Sequence, residues 1–350
     1  MSSGAVTRAN RAHAQRLRPG PQRQRGVALL VAILLVALGT IIAAAVAYEN
    51  AMTARRGTAT FAFDESLLVA QGAEALAAYG LRQLWQNDQK NHMFYLGQGW
   101  DKAIGPFEVV PGVTLQASLE DLQGRFNLNN LVKTDGTPDT VQFAAFQALL
   151  EEVGLETKWA GYLVDWIDWD GTPSIPDGAE DSVYTGLTPQ YRVPNRYITS
   201  ASELLALPGF GPDRYAKLAA FVTALPRAQE TPINICTASG WVLDAFLGAG
   251  HQEFSDPETL AKNRANSSTC FPTVESYQAA FDPKVWQGGA TGQPAVRTKF
   301  ATTSNYFRLT SFITIGSTEF NLYSLLYLDQ GGGVGGPGTV RPIQRSFTPD

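Results

Sequence analysis

The strongest pattern in the chain is an unbroken apolar run near its N-terminus. Residues 27–47 carry no charge, and only Gly39 and Thr40 interrupt the run. As a helix, this segment would be about 31 Å long, which matches one bilayer crossing. Beyond Glu49 apolar residues recur at near-heptad spacing, so the helix is predicted to continue to about residue 90. The positions that carry this second pattern are Phe61, Leu68, Ala75, Leu76, Leu81, Leu84 and Trp85.

Alternating apolar and polar residues predict strands at both ends of the remaining chain. Residues 106–120 read as two short strands around Pro111-Gly112, and residues 305–329 read as two longer strands joined at Gly316-Ser317. The region between them has helical patterns, with Asp139 placed to cap a first helix. Strands at both ends and helices between them predict an α+β fold with an all-helical insertion.

One stretch of the insertion, LPGFGPDRYAKLAAFV (207–222), looks like a helix-hairpin-helix element, and residues 231–247 look like the start of a second. Ser200 and Glu203 before it have capping-box spacing. Such hairpins can bind DNA phosphates through backbone amides, so a membrane-anchored DNA-binding protein of the competence type is the alternative function. The basic residues that DNA binding needs are missing, and Phe210 between the glycines indicates packing.

Charge is distributed unevenly. Residues 1–26 hold six arginines and no acid, whereas the rest of the chain holds 21 basic and 32 acidic side chains, a net of −11. An acidic body argues against binding to phosphate backbones. Three histidines and two cysteines argue against a His-rich metal site and exclude a four-Cys zinc ribbon.

Carboxylates are densest between residues 164 and 196. Six of them fall within 17 positions: Asp165, Asp168, Asp170, Asp177, Glu180 and Asp181. Oxygen ligands at this density favour a hard cation, and calcium tolerates irregular loops. The stretch is not an EF-hand, because Ile175 stands where that loop needs glycine. A solvated acidic loop is the alternative. A catalytic acid/base pair lacks a partnered nucleophile or histidine.

The basic leader that ends at Gly26, followed by the apolar helix, resembles the prepilin signal of type IV pilins and type II secretion pseudopilins. The resemblance implies cleavage after Gly26, methylation of Val27 and retention of the helix. Most members have glutamate at the fifth mature position, which here is Val31. An ordinary secretory signal cut within the alanine-rich residues 43–47 is the alternative.

The missing glutamate, the helical insertion and the pattern D-W-I-D-x-D, G-A-E-D, Y-R-x-x-N resemble the K-class minor pseudopilins of type II secretion (general secretion pathway protein K family). The resemblance implies a non-enzymatic subunit at the filament tip that supports protein export. It implies a pilin-like α+β head with an inserted SAM-like, helix-hairpin-helix domain that binds calcium. The ligands that it implies are Asp165, Asp168, Asp170, Glu180 and Asp181; Asp177 lies in a spacer that matches nothing.

The resemblance also implies partners and a location. The partners are the I- and J-class minor pseudopilins and the prepilin peptidase, with secreted proteins as a further contact and no nucleic acid. The location is the bacterial inner membrane, with a single span, the N-terminus in the cytoplasm and the body in the periplasm. In that compartment Cys236 and Cys270 are expected to form a disulfide, with two buried thiols as the alternative.

These readings divide the chain as follows: leader, 1–26; long helix, 27–90; first part of the head, 91–130; helical insertion, 131–290, in units 131–228 and 229–290; last head strands, 291–329; flexible Gly/Pro-rich tail, 330–350.

Overall fold

The computed structural model describes residues 25–88, 92–227, 229–265, 270–271, 277–281, 283–288, 295–331 and 338–349. The greater part of the predicted leader, residues 1–24, lies outside this range. The chain divides into a first unit that ends at Phe61 and a second that starts at Ala62.

The first unit is helical in its described part. Helix α1 (Arg25–Asn87) begins there and continues into the second unit, as the apolar pattern predicts. Among the described residues, α1 is the helix whose length and composition allow it to cross a membrane. None of its most apolar stretch is buried against the rest of the protein.

The second unit is built on a five-stranded antiparallel sheet in the order β1-β2-β7-β8-β9. The strands are β1 (Ile104–Val110), β2 (Val113–Asp121), β7 (Tyr306–Ile315), β8 (Thr318–Asp329) and β9 (Thr339–Ser346). Val113 pairs with Ile315, and that strand then turns through Gly316 to pair Ile315 with Thr318. The sequence therefore placed both hairpins of the head correctly.

The second half of α1 packs on this sheet with a face that the heptad pattern did not single out. Ala70, Ala73, Leu81 and Trp85 are buried against Leu115, Phe307, Leu322 and other sheet residues. Leu68 and Leu76, which the pattern placed in the same stripe as Leu81, are instead exposed. Residues 70, 73, 77, 81 and 84 share one side of the helix because 3.6 residues complete a turn. The second half of α1 therefore has two apolar faces, of which the sheet covers one.

The prediction of a flexible tail over residues 330–350 is wrong for part of this segment. Residues 339–346 form strand β9 at one edge of the sheet. A buried acid on α1 holds this strand in place. Glu74 accepts hydrogen bonds from Arg345 through both carboxylate oxygens, at 2.8 and 2.7 Å, and from Ser324 at 2.6 Å. The strand is thus fixed by a contact with a residue 271 positions away in sequence.

The insertion has its own apolar core, which includes Phe126, Phe146, Trp159, Tyr184, Phe210 and Tyr277. Its α-helices are α2 (Thr140–Glu152), α3 (Lys158–Ile167), α4 (Asp181–Tyr184), α5 (Gly211–Leu218), α6 (Gly240–Ala245), α7 (Pro257–Ala265) and α8 (Pro283–Gln287). Short 3-10 helices lie at Leu122–Gly124, Leu128–Leu131, Ala201–Ala206 and Val296–Lys299. Asp139 caps α2 as predicted, by accepting from the amides of Val141 and Gln142.

Two short parallel strand pairs, of two residues per strand, lie where the insertion joins the head. The prediction of an all-helical insertion did not include them. Strand β3 (Phe126–Asn127) pairs with β4 (Val222–Thr223), and β5 (Ile233–Asn234) pairs with β6 (Phe300–Ala301). Strands this short carry no alternating pattern for the sequence to reveal.

The predicted helix-hairpin-helix element is a 3-10 helix followed by α5, and it serves packing. Phe210, between the two glycines, is fully buried. Arg214 forms an ion pair with Glu156 and donates to the carbonyls of Gly209 and Phe210. The side chain of Arg214 is therefore bound within the protein, where it cannot at the same time contact a DNA phosphate. Ser200 caps the 3-10 helix by accepting from the amide of Ser202. The reciprocal bond of the predicted capping box goes to the preceding residue, because Glu203 accepts from the amide of Thr199.

Cys236 and Cys270 form a disulfide, and both residues are buried in the insertion core.

Candidate metal centre

The acidic loop follows α3 and returns to it. The helix ends at Ile167, the chain turns outward through residues 169–178, and Glu180 comes back at the start of α4. The backbone makes two close approaches here, one between α3 and the loop and one within the loop. A Cβ on Gly161 would lie 2.3 Å from the carbonyl oxygen of Asp177, and one on Gly178 would lie 2.2 Å from the amide nitrogen of Ser174. Glycine at these positions lets the loop close on the helix.

Three carboxylates converge where the loop closes. One oxygen from each of Asp168, Asp170 and Glu180 lies within 4.8 Å of the others. We call these three residues the acidic site. Ligand oxygens that sit about 2.4 Å from a shared calcium ion are at most about 4.8 Å apart, so the spacing fits calcium coordination.

Two members of the acidic site each have a buried carboxylate oxygen that accepts no hydrogen bond among the described residues. Asp168 Oδ1 and Glu180 Oε1 are buried, and in the part of the chain that the structure describes neither accepts a hydrogen bond. Burial, followed by repulsion from Asp170 and Asp165, raises the pKa of Asp168 to about 7. Burial, followed by repulsion from the surrounding acids, raises the pKa of Glu180 to about 7. A buried, unpaired carboxylate is unfavourable unless a proton or a cation neutralises it.

The other two predicted ligands have different partners. Asp165 is fully buried and accepts from the amide of Ser174 through both oxygens at 3.1 Å, and from the amide of Ala179 at 2.7 Å. It therefore holds the loop at its middle, through Ser174, and at its end, through Ala179. Asp181 accepts from the amide of Val193 and lies 3.4 Å from Arg192. The structure thus gathers three of the five predicted residues and uses the other two to position the loop.

Asn195, the last residue of the Y-R-x-x-N pattern, was not among the predicted ligands, and it completes the support of the loop. The side-chain nitrogen of Asn195 donates to the carbonyl of Asp170 at 2.9 Å, while its Oδ1 is buried and accepts no hydrogen bond among the described residues. Asn195 has a positive φ of 47°, which asparagine adopts more readily than most residues. Because it lies 25 residues beyond Asp170, spacing alone could not place it here.

Aromatic side chains pack on one another on the elements that flank the acidic loop. Trp166 packs against Tyr184, and both contact Tyr191. The ring of Trp169 lies over Gly136, where an added Cβ would meet it at 3.2 Å.

Comparison with known proteins identifies the family. A family model described as type II secretion system (T2SS), protein K, matches residues 124–227, which include the whole acidic site. The type II secretion system protein K of Pseudomonas aeruginosa is 35% identical over 232 residues, which are 64% of this chain and 68% of that protein. The chain belongs to the type II secretion system protein K family.

Other relatives extend this likeness along the chain. The protein K of Pectobacterium carotovorum subsp. carotovorum is 29% identical over 318 residues, which are 87% of this chain and 93% of that protein. A crystal structure of the GspK-GspI-GspJ complex from enterotoxigenic Escherichia coli contains a chain with the same fold. Its TM-score is 0.68 at 24% identity, and the match covers 84% of this chain and 100% of that one.

These findings confirm the resemblance to the protein K family and the α+β fold with a long N-terminal helix. They also confirm a role as a minor pseudopilin of type II secretion.

Proposed function

We propose that the chain is the tip subunit of a type II secretion pseudopilus and that it assembles there without catalysing a reaction. The observation that carries this proposal is the continuity of α1, which runs from an apolar segment at Arg25 to the sheet-bearing unit at Asn87. Val31 supports the tip position. A tip subunit has no neighbour above it to pair with a carboxylate at this depth, and an unpaired carboxylate in lipid is costly.

The proposed partners are the I- and J-class minor pseudopilins. The solved structure with the same fold is, by its title, a complex of GspK with GspI and GspJ. We place the protein in the inner membrane with the arginine-rich segment in the cytoplasm, because positive residues stay on that side. The prepilin peptidase would cut after Gly26 and leave a methylated Val27, and contact with secreted proteins is part of the proposal.

The mass and N-terminal sequence of the protein from inner membranes test this proposal. A chain that begins with methylated Val27 supports it. A chain that still begins at Met1 would indicate an ordinary membrane anchor, and one that begins near residue 48 would indicate a conventional secreted protein. Either of these two results would rule out the filament role.

We also propose that the acidic site binds calcium. The residues fit the ion because Asp168 and Glu180 each present a buried oxygen that has no partner within the described ranges, and Asp170 completes a set of three convergent carboxylates. Calcium would supply the positive charge that neutralises this cluster, with Asp168, Asp170 and Glu180 as its carboxylate ligands. Asp165, Asp181 and Asn195 would hold those ligands in position. The cation would then contribute to the stability of the folded insertion.

Thermal unfolding of the purified protein in calcium and in chelator tests this second proposal. We expect calcium to raise the Tm by several degrees, because a ligand that binds only the folded state stabilises it. The double variant Asp168→Asn/Glu180→Gln should lose this response, whereas Asp177→Asn, an exposed acid of the same loop, should keep it. An identical wild-type Tm in calcium and in chelator would refute the calcium site and leave the pseudopilin role intact.

A further inference from the structure

The outermost part of the acidic loop is apolar. Among the large apolar residues that the structure describes, Ile175 is the most exposed, at 96%, and Trp169 is 56% exposed. Pro173 and Pro176 are exposed as well. We call these four residues the apolar tip. Exposed apolar side chains that stand together on one loop indicate a contact surface.

The apolar tip is held in place by the rest of the insertion. Ser174, next to Ile175, donates its amide to both carboxylate oxygens of Asp165 at 3.1 Å. At the start of the tip, a Cβ added to Gly136 would lie 3.2 Å from the ring of Trp169. A side chain that is already fixed loses less conformational freedom on binding, so this anchoring favours a contact through Ile175 and Trp169.

The acidic site adjoins the apolar tip, because Asp168 and Asp170 flank Trp169 in the chain. Asp168 is 4% exposed, and its Oδ1 has no hydrogen-bond partner among the described residues, which indicates a ligand here. Asp170 is the exposed member of the site, so the site is open to solvent on that side. Calcium takes six to eight oxygen ligands, and one oxygen from each acid leaves about three to five positions for oxygens from elsewhere.

Two arginines lie beside the loop. Arg196 follows Asn195, whose side chain donates to the carbonyl of Asp170. Arg196 is exposed, and it forms no ion pair within the described ranges. The side chain of Arg192 is 80% exposed and lies 3.4 Å from Asp181. Once calcium offsets the loop acids, these arginines and the ion would together attract an anion.

A membrane surface that contains anionic phospholipid matches each of these features. Lipid phosphates offer oxygens to the open positions on calcium and negative charge to the arginines. The membrane interface accepts apolar side chains, and tryptophan is enriched there. A small apolar insertion binds a membrane only weakly, so the apolar contact and the electrostatic attraction have to act together. The loop presents both.

We propose that the apolar tip and the calcium-loaded acidic site dock the insertion on a membrane surface that contains anionic phospholipid, with Ile175 entering the interface and lipid phosphate meeting the exposed side of the acidic site. The inference rests on the proposed function, since it requires the proposed calcium site.

Co-flotation with vesicles tests the proposal on the full chain. The protein would be held in nanodiscs of phosphatidylcholine, which accommodate its apolar helix, and mixed with protein-free vesicles. We expect binding in calcium to vesicles of phosphatidylcholine and phosphatidylglycerol. Binding should fall about tenfold in chelator, or with vesicles of phosphatidylcholine alone. Nanodiscs without protein control for adhesion that calcium causes between the two membranes.

Variants of the tip separate lipid contact from calcium binding. Ile175→Ser should lower vesicle binding about tenfold and keep the rise of Tm in calcium, because its side chain is exposed. Arg196→Glu should also weaken binding to the anionic vesicles. Leu205→Ser is the matched control, since Leu205 is an apolar residue of the insertion outside the loop and is 45% exposed. It should bind vesicles as the wild-type chain does.

Photocrosslinking from position 175 distinguishes lipid from protein. The full chain would carry benzoylphenylalanine at position 175 in growing cells, with position 205 as the control. We expect a lipid adduct from position 175 and none from position 205. A crosslink from position 175 to a protein alone would show that the apolar tip docks a protein, and the lipid proposal would be overturned.

The outcomes also separate this inference from the calcium proposal. If calcium leaves the wild-type Tm unchanged, the calcium site fails and the calcium-dependent docking fails with it. If calcium raises the Tm but the chain does not float with anionic vesicles, the lipid docking is overturned and the calcium site stands. Equal binding in calcium and in chelator, or equal binding by Ile175→Ser and the wild-type chain, would overturn it as well.

Discussion

Asp165 and Asp168 lie one helical turn apart, yet their carboxylates have different surroundings. Asp165 accepts backbone hydrogen bonds from the middle and from the end of the acidic loop, whereas Asp168 has a buried oxygen without a partner among the described residues. The sequence could predict that acids gather in this segment because their density is visible. It could not separate a ligand from a supporting acid, because that difference depends on which amide groups the returning loop brings to Asp165.

Neutralising these two acids should therefore have opposite effects on the calcium-free protein. Asp165→Asn places an amide donor against backbone donors and should lower the free energy of unfolding by about 1–3 kcal/mol. Asp168→Asn removes an unpaired buried charge and should raise it by about 1 kcal/mol, while abolishing the gain on adding calcium. Urea unfolding in chelator and in calcium measures both. Equal destabilisation by the two substitutions in chelator would contradict these assignments.

Glu152, at the end of α2, provides a pH prediction away from the acidic site. Both of its carboxylate oxygens are buried and have no hydrogen-bond partner among the described residues. Burial, followed by repulsion from Asp244, raises the pKa of Glu152 to about 8. The folded state thus holds this proton more tightly than the unfolded state, so the stability of the wild-type protein falls as pH rises from about 4.5 to 8.

Glu152→Gln removes this titration. We expect the variant to gain about 2 kcal/mol in unfolding free energy relative to the wild-type protein between pH 5 and pH 9, with saturating calcium throughout. Glu151→Gln, at the exposed neighbouring position, is the matched control and should show no such gain. A constant difference between Glu152→Gln and the wild-type protein across this range would disprove the prediction.

At the scale of the element, the sequence predicts the strands that are stabilised by burial of alternate side chains, and it misses a strand that is stabilised by distant contacts. Strands β2, β7 and β8 bury alternate side chains in the head core, so their pattern is visible in the sequence. Strand β9 is mostly exposed and contains Pro342. Its pairing depends on an edge position and on the distant Glu74, neither of which leaves a local pattern.

Arg345 should consequently stabilise β9 more than its exposed position implies. Arg345→Met leaves Glu74 buried with only Ser324 as a hydrogen-bond donor among the described residues, and should cost about 1–3 kcal/mol. Arg341→Met changes the same residue type on the same strand, at a position that forms no ion pair with any described residue, and should cost less than about 0.5 kcal/mol. Denaturant unfolding gives both values, and hydrogen exchange should show faster opening of β9 amides in Arg345→Met alone. Equal costs for the two variants would contradict the role of Glu74.

At the scale of the whole molecule, the head and the insertion have separate apolar cores joined by a small polar junction. The side-chain nitrogen of Asn234 lies within 2.9–3.0 Å of the Phe94 carbonyl, Asp121 and Ser304. Asp121 also accepts from Thr237, and burial raises its pKa despite these bonds. This junction connects the end of β2 to the start of the second helical unit, so the stability of the insertion can affect the head through it.

Calorimetry in calcium and in chelator would reveal that coupling. We expect the wild-type second unit to unfold in one transition that moves to lower temperature when calcium is removed, because the junction makes the two cores open together. Asn234→Ala leaves the junction acceptors short of a donor and should split the transition in two, with only one part sensitive to calcium. Asn321→Ala, a substitution on β8 away from the junction, should retain a single transition. If Asn234→Ala also unfolds in one calcium-sensitive step, the prediction is wrong. The two cores would then be coupled by their apolar contacts, and the polar junction would not be needed for calcium to stabilise the head.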